Sequence, residues 1–246
     1  MRVLQHIAIS LCGLLLLTGN AAAETSLDIR AGIDLGGTTP LPLPAEIRVI
    51  NGYSPLLRPA VEAGATSFIS DRWGLRAALR FEIKGMTTSA TVKSYSMVIT
   101  GDDGNSLSGY WTGDVDTQVS NTLLTVPVNA AFKASEKFSI YLGPYVSFLL
   151  KGRFGGDVYN GYLREGSPVG EKISFCDGAS NSYEFSDDYK RVQFGVSLAA
   201  DYNINRHILL TAGLNWGLSN VFKSSFKTIS FNMYPIYGNI AVGYRF

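Results

Sequence analysis

The sequence lacks an excess of charge of one sign, a long apolar run and helical periodicity. Its 246 residues include 21 Lys and Arg against 20 Asp and Glu, so nothing in it predicts binding to nucleic acid. Beyond residue 23 no apolar stretch reaches the ~20 residues of a spanning helix, which excludes an inner-membrane protein. Apolar residues at helical spacing are also nearly absent. The natural class is therefore all-β.

The first 23 residues have the layout of a secretory signal peptide. Arg2 and His6 precede an apolar run over residues 7–17, and three alanines at 21–23 provide a cleavage site. The run is shorter than the ~20 residues that a transmembrane anchor needs. We expect residues 1–23 to be removed and residues 24–246 to form one domain.

Histidine and cysteine, which carry much catalytic and metal chemistry, are scarce. Only Cys176 and His207 lie outside the predicted signal peptide. One Cys excludes an intrachain disulfide, and one His far from one Cys has no metal-ligand spacing. His207 lies at a predicted turn without a Ser/Asp constellation for catalysis. The sequence predicts no catalytic, cofactor-binding or metal residue, and an outer-membrane lipid-modifying enzyme is the least favoured function.

Eight segments alternate apolar with polar or small side chains, as strands with one apolar face do. They are Leu27–Leu35, Val61–Thr66, Leu75–Ile83, Leu124–Phe132, Phe138–Phe154, Val192–Tyr202, Ile208–Leu218 and Tyr234–Phe246. Short turns lie near residues 71, 135 and 204, whereas long links cover 37–57, 91–119 and 155–188, and a moderate one covers 222–231. This alternation predicts an eight-stranded antiparallel transmembrane β-barrel with short periplasmic turns and long extracellular loops.

The last predicted strand resembles the C-terminal strand of bacterial outer-membrane β-barrel proteins. Ile240, Val242, Tyr244 and Phe246 share one face, and Arg245 lies on the other. The resemblance implies that these four residues form the signal read by the outer-membrane insertion machinery during assembly. A surface strand that ends a soluble sandwich is the alternative.

One hairpin carries a more specific resemblance. Leu124-Thr125-Val126-Pro127-Val128, followed after a short turn by Ile140 to Leu150 with Gly143-Pro144-Tyr145, is similar to the PorT-type outer-membrane β-barrel family of Bacteroidetes. Thr125 stands where that family usually has an acidic residue. Because proline loses a ladder hydrogen bond, Pro127 and Pro144 are expected to mark bulges or irregular register.

Alternation alone does not say which face points into a barrel, and a soluble lipocalin-like barrel has the opposite arrangement. The signal peptide, the loop asymmetry, the terminal strand and aromatic residues near strand ends favour the membrane type. Those aromatic residues are Trp73, Phe138, Tyr202 and Trp216. We therefore expect a protein of the bacterial outer membrane, in contact with its lipid, with both mature termini periplasmic.

The polar faces then point into the lumen. They carry Asp28, Arg30, Asp34, Glu62, Arg76, Arg80, Glu82, Lys84, Arg191, Asp201 and Arg245. Side chains fill the interior of an eight-stranded barrel, and buried charges must pair, so these residues predict a lumen charge network that plugs the barrel. A small porin-like pore for ions or small solutes is the alternative.

The predicted extracellular loops hold the remaining candidates for function. Their aromatic residues include Tyr110, Trp111, Tyr159, Tyr162 and Tyr183. Aromatic side chains with small polar neighbours suit binding to a protein or a glycan, or folding over the barrel mouth. The leading hypothesis is a non-enzymatic outer-membrane barrel with a plugged lumen, whose loops contact a partner, a ligand or an envelope component.

Overall fold

A computed structural model describes residues 24–100, 106–174 and 181–246. The predicted signal peptide and Cys176 lie outside these ranges. The strands are β1 (Glu24–Pro40), β2 (Ile47–Pro55), β3 (Arg58–Phe68), β4 (Trp73–Thr100), β5 (Ser106–Lys133), β6 (Phe138–Glu165), β7 (Lys172–Ser174), β8 (Asn181–Glu184), β9 (Val192–Asn203), β10 (Ile208–Gly217) and β11 (Met233–Arg245). One 3₁₀ turn covers Ser186–Asp188. No helix in the described ranges is long and apolar enough to cross a membrane.

Eight of these strands close into an antiparallel ring. The order is β1, β3, β4, β5, β6, β9, β10 and β11, and β11 pairs again with β1. The eight predicted strands are these eight, and the predicted short turns join β3 to β4, β5 to β6 and β9 to β10. We call the end of the barrel with these turns the short-turn end, and the opposite end the tall end. Glu24 and Arg245 also lie at the short-turn end.

The apolar faces point outwards and the charged faces inwards. On β9, Leu198 is 48% exposed, whereas Asp201 is fully buried. Exposed apolar residues run along β9 from Val192 to Tyr202, a span of about 25 Å for tilted strands, which matches the hydrocarbon layer around a membrane barrel. This arrangement excludes the lipocalin-like alternative, in which the apolar face lines the interior.

The two prolines interrupt the ladder without shifting it. Between β4 and β5 the pairing is interrupted from Ala77–Val128 to Arg80–Thr125 around Pro127, and the register is unchanged. The β5–β6 ladder skips the residues next to Pro144 in the same way. The expected bulges at Pro127 and Pro144 are therefore wrong. A missing N–H removes a hydrogen bond here, but the partner strands continue straight past it.

The long links are mostly strand, which corrects their prediction as loops. Strands β4, β5 and β6 are 28 residues each and continue far beyond the apolar band. Strand β2 pairs with β4, and β7 and β8 pair with β6. We call this extended part of β4, β5 and β6 the tall wall. Bulges interrupt it at Val92/Tyr95 and at Thr112/Asp114, and Gly113 between them has φ 151°.

The inside of the tall end holds an apolar core. Its largest members include Trp111, Phe154, Tyr183, Phe185 and Phe222, which come from β5, β6, β8 and the segments beside β9 and β10. Phe154 packs edge-on against Phe222, with ring centroids 5.0 Å apart. The segments that the sequence predicts as loops thus fill the upper barrel with their own side chains.

At the tall end the ring of strands is interrupted by a gap beside β1, which we call the seam. Pairing between β1 and β3 stops at Asp34 and Arg58, although β1 continues to Pro40 in contact with β11. Strand β2 pairs with β4 only. Among the described residues, β1 from Leu35 to Pro40 therefore has no strand partner on this side. The seam begins directly above the last β1–β3 pair.

Candidate functional site

Two arginines hold the centre of the lumen. The Arg76 guanidinium donates to Asp28 Oδ2 at 2.5 Å and to Glu62 Oε1 at 2.6 Å. Arg30 donates through both Nη atoms to the Asp201 carboxylate, each at 2.9 Å, and through Nε to Asp28 at 2.8 Å. Bidentate pairs of this kind fix both partners in one geometry. They link β1, β3, β4 and β9 across the barrel.

The network continues towards the tall end. Arg80 Nε donates to Glu62 Oε2 at 2.7 Å, and Lys84 Nζ donates to Glu82 Oε1 at 2.8 Å. The Thr125 hydroxyl of β5 donates to the same Glu82 oxygen at 2.6 Å. Asp34 is fully buried in this region, and neither of its carboxylate oxygens accepts a hydrogen bond from the described residues.

Tyr141 of β6 covers the network from the far wall. The Arg30 and Arg76 guanidinium carbons lie 5.7 and 5.5 Å from its ring centroid. Cations this close to an aromatic face are attracted to it. Sequence reasoning missed Tyr141, although its position on the inward face of the predicted strand 138–154 could have identified it.

Two predicted lumen residues lie outside the network. Arg191 is exposed, because the chain leaves the strand pleat before β9 begins at Val192. Arg245 points inwards at the short-turn end, but its Nε has no hydrogen-bond partner among the described residues. The structure brings together Asp28, Arg30, Glu62, Arg76, Arg80, Glu82, Lys84 and Asp201, and places Asp34 beside them.

The cavity that the network encloses is small. A cavity of about 20 Å³ lies between Arg30, Glu62, Arg76, Arg80 and Tyr141. That volume holds about one water molecule.

The five aromatic candidates of the loops divide into two groups. Trp111 and Tyr183 are buried in the apolar core, and Tyr183 shares a 2.6 Å hydrogen bond with the Thr117 hydroxyl. Their rings are therefore not available to a partner. Tyr110, Tyr159 and Tyr162 are partly exposed on the tall wall.

The outer face of the tall wall is polar. Tyr159 Oη donates to Asp116 Oδ1 at 3.1 Å, and the Thr91 hydroxyl donates to Asp114 Oδ1 at 2.7 Å. A groove of about 350 Å³ runs along this face and is lined by Ser89, Asp116, Gln118, Arg153, Asp157 and their neighbours. We call it the wall groove.

Near the top of the wall, Tyr162 is flanked by two cations. Lys172 Nζ lies 4.3 Å and the Arg164 guanidinium carbon 5.5 Å from its ring centroid. The hydrogen bond from Thr112 lowers the pKa of the Tyr162 phenol, and the two cations act in the same direction.

His207 packs against the end of β11. Its Nδ1 lies 2.9 Å from the Arg245 carbonyl oxygen, and its ring stacks on Tyr244 with centroids 5.5 Å apart. In the described part of the chain, no three His, Cys, Asp or Glu side chains are grouped as metal ligands.

Comparison with protein-family models agrees with this architecture. Residues 21–223 match the family model described as outer membrane protein beta-barrel domain. The chain belongs to this outer-membrane β-barrel family. It is accordingly a protein of the bacterial outer membrane. None of the curated proteins matches this outer-membrane barrel.

Solved structures with a similar fold are also outer-membrane barrels. Ail of Yersinia pestis, in complex with the heparin analogue sucrose octasulfate, is 13% identical, covers 91% of this chain and 99% of its own, and gives a TM-score of 0.39. Neisserial surface protein A is 13% identical, with 91% and 97% covered and a TM-score of 0.37. OprG of Pseudomonas aeruginosa is 13% identical, with 90% and 95% covered and a TM-score of 0.34. At these scores the likeness carries no argument about function.

Proposed function

We propose that this barrel is a non-enzymatic, non-conducting protein whose tall wall binds an extracellular partner. The observation that carries the proposal is the lumen itself. The charge network leaves room for about one water molecule, and the apolar core lies above it. Ions would meet a charged barrier and then an apolar one in the same passage.

The wall groove supports binding to a glycan more than to an apolar surface. Its lining offers the Asp116 and Asp157 carboxylates, the Arg153 guanidinium and several hydroxyl groups. Tyr159 lies beside it and donates to Asp116. Polar groups that both donate and accept, next to an aromatic ring, suit the hydroxyl groups and apolar faces of sugars.

Other parts of the proposal concern placement and assembly. The short-turn end faces the periplasm, so both mature termini are periplasmic, and the apolar band contacts outer-membrane lipid. Ile240, Val242, Tyr244 and Phe246 form the signal for the insertion machinery. Residues 1–23 form a cleaved signal peptide. The Pro127 and Gly143-Pro144-Tyr145 hairpin supports membership of the PorT-type branch.

Planar bilayer recordings test the closed lumen. Refolded protein is expected to give no stable conductance steps, because the network and the core close the same passage. Stable, ion-selective steps from the wild-type protein would favour the small porin-like pore and overturn the non-conducting proposal.

A glycan array probed with refolded protein tests the binding face. Tyr159→Ala and Asp116→Asn are expected to lower binding of the recognised glycan about tenfold, as loss of a central contact does. Tyr202→Ala, at the short-turn end, is the matched control and is expected to bind like the wild type. Equal binding by all variants, or no glycan bound, contradicts the proposed groove.

A further inference from the structure

A second cavity lies inside the tall end, behind the seam. Its volume is about 410 Å³, within the usual range of small-molecule sites. Apolar residues from several strands form its walls, among them Met86, Ala90, Val115, Phe154 and Met233. None of its lining residues is charged, and its polar groups are the hydroxyls of Thr38, Thr39, Thr88, Thr117, Tyr53 and Tyr95 and nearby backbone.

The seam gives this cavity an opening towards the side of the barrel. Leu43, Ile50 and Tyr53 line both the cavity and its rim, and each is at least half exposed. Leu57, at the foot of the seam, is 66% exposed, as residues of the lipid-facing band are. The atoms nearest to Gly37 across the seam are the tips of Met86 and Tyr53. The opening therefore lies next to the upper edge of the lipid layer.

Thr38 supplies unused polar groups at the same place. It lines the cavity and is 1% exposed, and its Oγ1 makes no hydrogen bond among the described residues, although it faces the hydroxyl of Tyr237, which makes none either. Its backbone N–H, which the missing β3 partner leaves free of the ladder, donates to Met86 Sδ at 3.3 Å. A thioether is a weak acceptor. A ligand oxygen here would pair with the Thr38 hydroxyl and offer its N–H a stronger acceptor than the thioether.

We propose that this cavity binds an uncharged molecule with an alkyl chain and one hydroxyl or carbonyl group, which enters from the outer leaflet through the seam. The chain fills the apolar pocket, and the polar group bonds to Thr38. The absence of a lining cation disfavours a carboxylate head group, because a buried charge needs a partner. This cavity lies on the inner side of the tall wall and the wall groove on its outer side, with Thr88 and Thr117 lining both, and the labelling test is independent of glycan binding.

Photolabelling of the refolded protein in lipid vesicles tests the proposal. The probe is dodecanol with a diazirine in its chain, and mass spectrometry maps the labelled residues. Label is expected on Met86, Ala90 or Phe154, which face the interior and are out of reach of lipid around the barrel. Excess unlabelled dodecanol should displace it. No label at these residues, or label that excess dodecanol does not displace, overturns the proposal.

Variants separate the pocket from its surroundings. Ala90→Phe fills the cavity and should abolish the label, whereas Ala212→Phe, on the exposed face of β10, should keep it. Thr38→Val keeps the shape and removes the hydroxyl, and should lower labelling about fivefold, the value of one hydrogen bond. Thr38→Ser should restore it. Equal labelling of Thr38→Val and wild type removes the assigned role of Thr38 even if Ala90→Phe fails to fold.

Two further probes identify the source and the head group. A phospholipid with a diazirine in one acyl chain reports entry of a bilayer lipid. Label from this phospholipid at the interior residues, with no competition by dodecanol, assigns the pocket to lipid chains. Diazirine dodecanoate should label less than the alcohol, and equal labelling contradicts the requirement for an uncharged head group.

Discussion

At the scale of single residues, the centre of the lumen depends on the pairing of buried charges. Arg76 contacts both Asp28 and Glu62, and all three side chains are almost completely buried. Removing one partner of a buried pair leaves a carboxylate without compensation, which costs far more than the pair contributes as a whole. Arg30 and Arg80 still contact the same two carboxylates, so part of the loss is offset.

We expect Arg76→Met to lower the free energy of unfolding by about 3 kcal/mol, the lower end of the cost of breaking a buried pair. Urea titration of the protein refolded in lipid vesicles measures this. Lys133→Ala is the control, because Lys133 pairs at 3.6 Å with the exposed Glu136 in a turn and such pairs contribute at most ~1 kcal/mol. If Arg76→Met were as stable as Lys133→Ala, the stability of the barrel would not depend on the ion pairs that Arg76 makes.

At the scale of elements, β8 and the 3₁₀ turn act as a lid on the tall core. Phe185, which follows β8, lies 5.3 Å from Tyr183 and 5.1 Å from Phe226 between ring centroids. Its N–H donates to the Phe154 carbonyl oxygen at 2.8 Å. The segment is thus held by its side chains more than by a long ladder, because β8 has only four residues.

We expect Phe185→Ala to loosen this segment and leave the ring intact. Truncating a buried Phe side chain to Ala costs about 3 kcal/mol of stability. The few ladder hydrogen bonds of so short a strand do not offset that loss. Hydrogen exchange should accelerate for backbone N–H groups of residues 181–189 and stay unchanged in β9 and β10. Tyr162→Ala, on the partly exposed face, is the control. Uniform acceleration along the whole chain would contradict an independent lid.

The sequence predicts the membrane part of the elements well and the tall end poorly. Strands such as Ile208–Leu218 have one face in lipid and one in the lumen, so a two-residue period is strict there. Beyond the apolar band the link between polarity and exposure is lost in places, as in β2, where Arg48 to Pro55 are all exposed although Val49, Ile50 and Tyr53 are among them. The bulges at Val92/Tyr95 and Thr112/Asp114 also shift the two-residue alternation of side chains. The sequence of these polar strands therefore resembles that of a loop.

The candidate site divides in the same way. Asp28, Arg76 and Asp201 follow from strict alternation within the lipid layer. Trp111 and Tyr183 do not, because their side chains turn into a core that exists only when distant segments fold over each other. The cavity behind the seam depends on where β3 ends relative to β1. No local sequence pattern predicts that position.

At the scale of the whole molecule, closing the ring depends on β11. It pairs with β1 from Asp28–Arg245 to Pro40–Met233, a continuous ladder with no register shift. Assembly is complete only when this last strand meets the first. A signal on β11 would report that the whole barrel chain is present.

We expect Phe246→Ala to lower the amount of folded protein in the outer membrane of cells while refolding of purified protein in detergent stays unchanged. Heat-modifiable migration on gels measures the folded fraction in both cases. Phe138→Ala removes another exposed aromatic side chain at the same end and is the control. Equal losses for the two variants in cells would point to lipid anchoring in place of a recognition signal.

The tall wall gives the barrel a direction within the plane of the membrane. Among the described residues, three of the eight ring strands, β4, β5 and β6, continue beyond the apolar band as a wall, and β8 pairs with both the end of β4 and the middle of β6. The molecule is therefore lopsided when viewed along the barrel axis from the tall end. A soluble partner can reach the wall groove from any approach, whereas a partner embedded in the same bilayer must lie on the β4–β5–β6 side. Contact with a membrane-embedded partner therefore depends on how the barrel is rotated about its own axis in the bilayer.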